Sequence, residues 1–195
     1  MLMCTVLTFA MCADPNVAGA VSIGDLTVPI VWSRVQTASC VDVGRQSAGS
    51  EAGLTRFETA WSSQAATADG SGTYSGRVVV HLDSAEIDMS AFSWPHPSRA
   101  DADALRRLYQ ATLWHELGHL RTAQASIDAL NADNGFSAQS APDYTATAKL
   151  RGNEAMARLN ADQVEYDLVA GHGLRQATLP PPLGGADTII LCSGR

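Results

Sequence analysis

The chemistry of this chain is concentrated in the stretch 114–120, Trp-His-Glu-Leu-Gly-His-Leu. Residues four apart lie on one face of a helix, so the imidazoles of His115 and His119 can reach a single metal ion. Glu116 lies about 100° around the same helical turn, close enough to take a proton from a water molecule at that metal. The pattern predicts a Zn²⁺ site with His115 and His119 as ligands and Glu116 as the general base. The alternative is a pair of core histidines without a chemical role.

The residues around this pattern favour a long helix. Ser98 and Asp101 form a capping box just after the turn-forming Pro95 and Pro97. Beyond it, one buried face is predicted by residues that recur at spacings of three and four: Leu105, Leu108, Thr112, Leu113, Glu116, Leu120, Ala123, Ile127 and Leu130. Because an Asn-Gly pair at 134–135 is typical of a helix end, we predict a helix over 99–131.

The rest of the chain supplies strands and a second helix. The segment 17–45 suggests two strands, and 57–66 and 77–88 predict two more, joined by a loop rich in Gly and Ser. A second helix is predicted over 143–170, with Gly152 as a weak point. We therefore predict an α+β, zincin-like fold in which an N-terminal antiparallel β region packs on two long helices that carry the metal site.

A catalytic zinc ion usually takes three protein ligands, so one more must come from elsewhere in the chain. His172 lies just past the predicted end of the second helix, between two glycines, and can fold back towards a neighbouring helix. Glu154 on the second helix is the alternative third ligand. Asp167 could orient a zinc-bound imidazole or replace His172 as a ligand. Tyr166 could donate its hydroxyl to an oxyanion, or could be a core residue.

The segment 166–173, Tyr-Asp-x-x-Ala-x-His-Gly, resembles a conserved element of a known family. The element is the Tyr-Asp-x-x-Thr-x-His-Gly of the bacterial domain of unknown function 922, a family of predicted secreted zinc-dependent proteases that also carries a His-Glu-x-x-His helix. The resemblance covers roughly residues 20–176. It implies a secreted zinc protease and favours His172 as the third ligand. Ala170 departs from the family, which has Thr at that position.

Charge and composition restrict the partners. A formal net charge of −7 and a pI near 5.0 argue against nucleic acid as a partner, and no stretch is long and apolar enough for an integral membrane segment.

Residues 1–13 resemble the apolar core of an export signal without a leading basic residue. This leader predicts a secreted, periplasmic or cell-envelope protein. Cys40 and Cys192 are an even pair that could form a disulfide, or two unrelated thiols.

These observations predict a leader over 1–13, a peptidase domain over 14–176 and an extended arm over 177–195. The predicted function is that of a zinc metallopeptidase acting on a peptide or protein substrate, with Glu116 as general base. Two alternatives stay open at this point. One is a non-catalytic binding module stapled by zinc, and the other is a zinc amidase acting on cell-wall peptides.

Overall fold

The computed structural model describes residues 2–3, 13–43, 52–64 and 68–173. These residues form strands and two long helices, which confirms the predicted α+β class. The elements are β1 (Leu2–Met3), β2 (Gly19–Ile23), β3 (Leu26–Gln36), β4 (Gly53–Gln64), β5 (Tyr74–Ser93), α1 (Arg99–Ala132), β6 (Gly135–Ala138) and α2 (Ala141–Ala170).

The strands form one sheet in the order β1-β2-β3-β5-β4, with β6 paired to β5. The predicted antiparallel arrangement is wrong, because the sheet is mixed. Strands β1 and β2 pair in parallel, as do β3 and β5, whereas β2–β3 and β5–β6 are antiparallel. The chain between β3 and β5 spans residues 37–73 and includes β4, and a connection of that length permits parallel pairing.

The described residues divide into two compact units. The first draws on the described residues within Met1–Arg56, Ala85–Arg121 and Tyr166–Arg195, and the second on those within Phe57–Ser84 and Thr122–Glu165. Strands β4 and β5 and both helices contribute residues to each unit. The sequence-predicted site residues lie in the first unit, except Glu154.

In the first unit, α1 begins at the predicted capping box. The backbone N–H of Ser98 donates to Asp101 at 2.9 Å and that of Asp101 donates to the Ser98 hydroxyl at 3.1 Å. About two turns further along the helix, the buried phenol oxygen of Tyr109 accepts the N–H of Phe92 on β5 at 2.8 Å. Burial raises the pKa of Tyr109 to about 12, so the phenol stays neutral. These contacts fix the first half of α1 beside β5, ahead of the His-Glu-x-x-His turn.

In the second unit, α2 runs without a break through Gly152. A Cβ at this position would overlap the ring of Trp61, so glycine allows the strand residue and the helix to approach closely. The core of this unit is formed by buried apolar residues from β5, α1 and α2: Val80, Ala123, Ile127, Ala155 and Leu159. Its hydrophobic packing explains why a helix with an interior glycine stays intact.

Several sequence predictions fall outside the described residues. They concern most of the leader 1–13, the arm 177–195, and Cys192 as the partner of Cys40. Cys40 itself is buried and disulfide-bonded. Neither α1 nor α2 contains a segment apolar enough to cross a membrane.

Candidate metal centre

The two histidines of the motif project from α1 towards the same point. Their ring centroids are 4.9 Å apart, with an angle of 79° between the ring planes. Both side chains are largely buried, at 9% exposed for His115 and 14% for His119. The predicted one-face arrangement of the two imidazoles is therefore present on a helix.

Asp167, in the last turn of α2, supplies an oxygen to the same point. Its Oδ1 lies 3.3 Å from Nε2 of His115 and 3.0 Å from Nε2 of His119. One ligand atom from each of the three residues lies within 4.8 Å of the other two. Tetrahedral zinc with bonds near 2.0 Å holds its ligand atoms about 3.3 Å apart. The two nitrogen–oxygen separations are close to this spacing, so two imidazole nitrogens and a carboxylate oxygen are placed where they could hold a metal ion.

His172 lies next to this group without belonging to it. Its Nδ1 is 3.7 Å from Asp167 Oδ1, and its side chain is 66% exposed. The backbone adopts φ 50° between two glycines that also have positive φ, and its N–H donates to the Asp167 carbonyl at 3.0 Å. This bond closes a turn at the end of α2, and the residue that meets both imidazoles is Asp167. The sequence alone ranked these two residues in the opposite order.

Glu154, the alternative third ligand, is exposed on α2 in the second unit. It is not a member of the His115, His119 and Asp167 group. The helix register explains this outcome, because Glu154 precedes Asp167 by more than three turns of α2.

Tyr166 packs against both histidines. Its ring stacks on His115 with centroids 5.2 Å apart and meets His119 edge-on at 4.7 Å. The buried hydroxyl donates to the main-chain carbonyl of His115 at 3.1 Å. Of the two predicted roles, these contacts support the core role, in which the phenol holds the His-Glu-x-x-His turn of α1 against the end of α2.

The glycine inside the motif follows from this packing. A Cβ at Gly118 would overlap the hydroxyl and ring of Tyr166. Gly118 lies in the interior of α1, where glycine is intrinsically unfavourable by about 1 kcal/mol relative to Ala. Its presence is explained by the room that the phenol needs between the two histidines.

We predict that Gly118→Ala destabilises the protein by about 1–3 kcal/mol, because displacement of Tyr166 outweighs the better helix propensity of Ala. Urea unfolding measures the change. Gly70→Ala is the matched control, since a Cβ there meets nothing within 4 Å. Equal unfolding midpoints for Gly118→Ala and the unmodified protein would show that Tyr166 does not need this space.

Glu116 is buried beside the group, at 4% exposed. Its Oε2 accepts a hydrogen bond of 2.8 Å from the Thr55 hydroxyl on β4. Thr55 carried no signal in the sequence, because a polar residue on a strand is common and its partner is distant in the chain. The contact between Thr55 and Glu116 forms only when β4 and α1 come together in the folded protein.

A partly buried cation lies on α1 just after the motif. The guanidinium carbon of Arg121 is 4.9 Å from the ring centroid of Trp114, a cation–π contact. Burial lowers the pKa of Arg121, and its electrostatic interaction with Tyr166 opposes that shift. Aromatic and charged side chains of the same unit therefore pack beside the motif turn.

Comparison with known proteins gave one family. The family described as a bacterial protein of unknown function, DUF922, matches residues 38–173. This match contains both the His-Glu-x-x-His turn and the segment 166–173. No curated protein and no solved structure matches the chain.

Proposed function

The chain belongs to the DUF922 family of bacterial proteins, and we propose that it is a zinc-dependent hydrolase that cleaves peptide bonds on a zincin-like fold. The observation that carries the proposal is the convergence of His115 Nε2, His119 Nε2 and Asp167 Oδ1, together with the buried side chain of Glu116 on the same turn of α1 as His115. A structural site has no need of a further acidic side chain there. The combination favours hydrolysis.

We assign His115, His119 and Asp167 as the zinc ligands. A bound Zn²⁺ supplies Lewis acidity, which polarises a carbonyl and makes water a better nucleophile at neutral pH. Tyr166 has a supporting role. By stacking on His115 and bonding its carbonyl, it holds the imidazoles in the orientation that the ion requires.

Glu116 is the proposed general base and acid. Its carboxylate accepts the proton of the attacking water and then donates that proton to the leaving amine. The side chain is held in place by the Thr55 hydroxyl, at 2.8 Å from Oε2. Burial removes it from bulk solvent, so the proton is retained for the second step.

The function is tested by measuring metal content and hydrolysis together. The purified protein is expected to hold about one zinc ion per chain and to cleave an unfolded protein substrate. Incubation with a chelator should abolish both, and added Zn²⁺ should restore both. Hydrolysis that persists after complete removal of the metal contradicts the proposal.

The second candidate is a binding module stapled by zinc. It is favoured by His172, whose Nδ1 lies 3.7 Å from Asp167 Oδ1 and could close the site as a fourth ligand. In that case the protein binds zinc and cleaves neither proteins nor cell-wall peptides. Cleavage of cell-wall peptides alone identifies the amidase alternative.

We also propose that the protein works outside the cytoplasm. The support is the disulfide-bonded Cys40, because disulfides persist in the oxidising environment of the periplasm and cell surface. This agrees with the export predicted from residues 1–13.

A further inference from the structure

The first residues of β4 lie directly against Glu116. The hydroxyl of Thr55 is 2.8 Å from Glu116 Oε2 and 3.0 Å from the Glu116 main-chain carbonyl oxygen. Both acceptors belong to Glu116, so the shared hydroxyl proton of Thr55 holds the Glu116 carboxylate close to the Glu116 main-chain carbonyl. Thr is also β-branched, which restricts χ1 and keeps the hydroxyl aimed at its partners.

Gly53, two residues earlier, allows the strand to come this close. A Cβ at Gly53 would lie 2.9 Å from both Cγ and Oε1 of Glu116, and 2.6 Å from Cγ2 of Thr112. Gly53 does not have a positive φ. A glycine is therefore needed here for the space that a Cβ would occupy, and not for its backbone conformation. The strand therefore holds the carboxylate by a hydrogen bond from Thr55 and by contact at Gly53.

We propose that the start of β4 orients Glu116, with Thr55 as a positioning residue for the reaction. This inference rests on the proposed function, in which Glu116 transfers the proton. A proton acceptor must be held within a fraction of an ångström of its productive position, and misplacement by about 1 Å costs about 100-fold in rate. Thr55 is not one of the three candidate ligands and contacts Glu116, so its effect passes through Glu116.

The test compares two substitutions at one position. Thr55→Val keeps the shape and the β-branch but removes the hydroxyl, and is expected to lower kcat by about 10- to 100-fold with KM within about twofold. Zinc content should not change. Thr55→Ser restores the hydroxyl and is expected to recover most of the lost kcat. Thr27→Val, on an exposed position of β3, is the matched control and should leave kcat unchanged.

Gly53→Ala disturbs the same carboxylate by contact. It should also lower kcat with zinc retained, whereas the control Gly70→Ala, which adds a Cβ in open space, should not. A general loss of folding would instead lower zinc content and the melting temperature in parallel.

A readout without metal or activity comes from the apoprotein. In a double-mutant cycle of Thr55→Val and Glu116→Ala, the effects on the unfolding equilibrium constant should be non-additive by about five- to fiftyfold. The inference would be overturned by additive effects in this cycle or by an unchanged kcat for Thr55→Val. It would also be overturned if the kcat of Thr55→Ser were as low as that of Thr55→Val. If the unmodified protein hydrolyses nothing, the proposed function fails, and the cycle still decides whether Thr55 holds Glu116.

Discussion

Replacement of Glu116 by Gln is expected to reduce hydrolysis by about 100- to 10,000-fold while zinc stays bound. General acid–base catalysis contributes rate factors of this size. Gln has the shape of Glu, and its amide oxygen can still accept the hydrogen bond that Thr55 donates at 2.8 Å, so the local packing should survive. The amide does not accept a proton from water. Peptide cleavage and zinc content, measured on the same sample, check the prediction.

The matched control is Glu154→Gln. Glu154 is exposed on α2, and the same chemical change there should leave both cleavage and zinc content as they were. Wild-type cleavage by Glu116→Gln would remove Glu116 as the base. Loss of zinc in Glu154→Gln would return Glu154 to the ligand set and contradict the site described above.

Asp167→Ala is expected to weaken zinc binding by more than about 100-fold, and hydrolysis should be lost with the metal. Loss of even an indirect partner of a metal ligand costs about 10- to 100-fold in affinity, and the Asp167 oxygen is the one that meets both imidazoles, at 3.3 and 3.0 Å. Competition with a chromogenic chelator measures the affinity. Asp167→Asn keeps the shape of the side chain without its charge, and its zinc affinity should lie between those of the unmodified protein and Asp167→Ala.

His172→Ala is the informative comparison for this prediction. Its side chain is 66% exposed and lies outside the three-residue group, so zinc affinity should fall much less than in Asp167→Ala. The reverse order, with zinc retained in Asp167→Ala and lost in His172→Ala, would reinstate the ligand assignment that the sequence favoured.

The helix that carries the motif could be predicted closely from the sequence. Its predicted range of 99–131 compares with Arg99–Ala132 in the structure. This success has a physical reason. The capping box of Ser98 and Asp101 and the spacing of apolar residues are local features, and local hydrogen bonds and one buried face decide where such a helix begins and runs.

The parallel pairing of β3 with β5 and the choice between Asp167 and His172 could not be predicted in the same way. Strand order depends on contacts between distant segments, and no local pattern reports whether a neighbour runs parallel. For the ligand, the chain turns at residues 171–173 through three positive φ values, of 59°, 50° and 86°. That turn carries the His172 side chain into solvent, whereas Asp167, still helical, keeps the direction that α2 gives it.

The candidate ligands His119 and Asp167 lie on different helices and are far apart in the sequence, so an unfolded chain does not hold them together. Zinc would then bind the native protein only, and each tenfold rise in free zinc above the dissociation constant would add about 1.4 kcal/mol to its stability. The zinc buffering of the surrounding medium would set how long the protein resists proteolysis. At low free zinc the protein would be degraded faster as well as lose its activity.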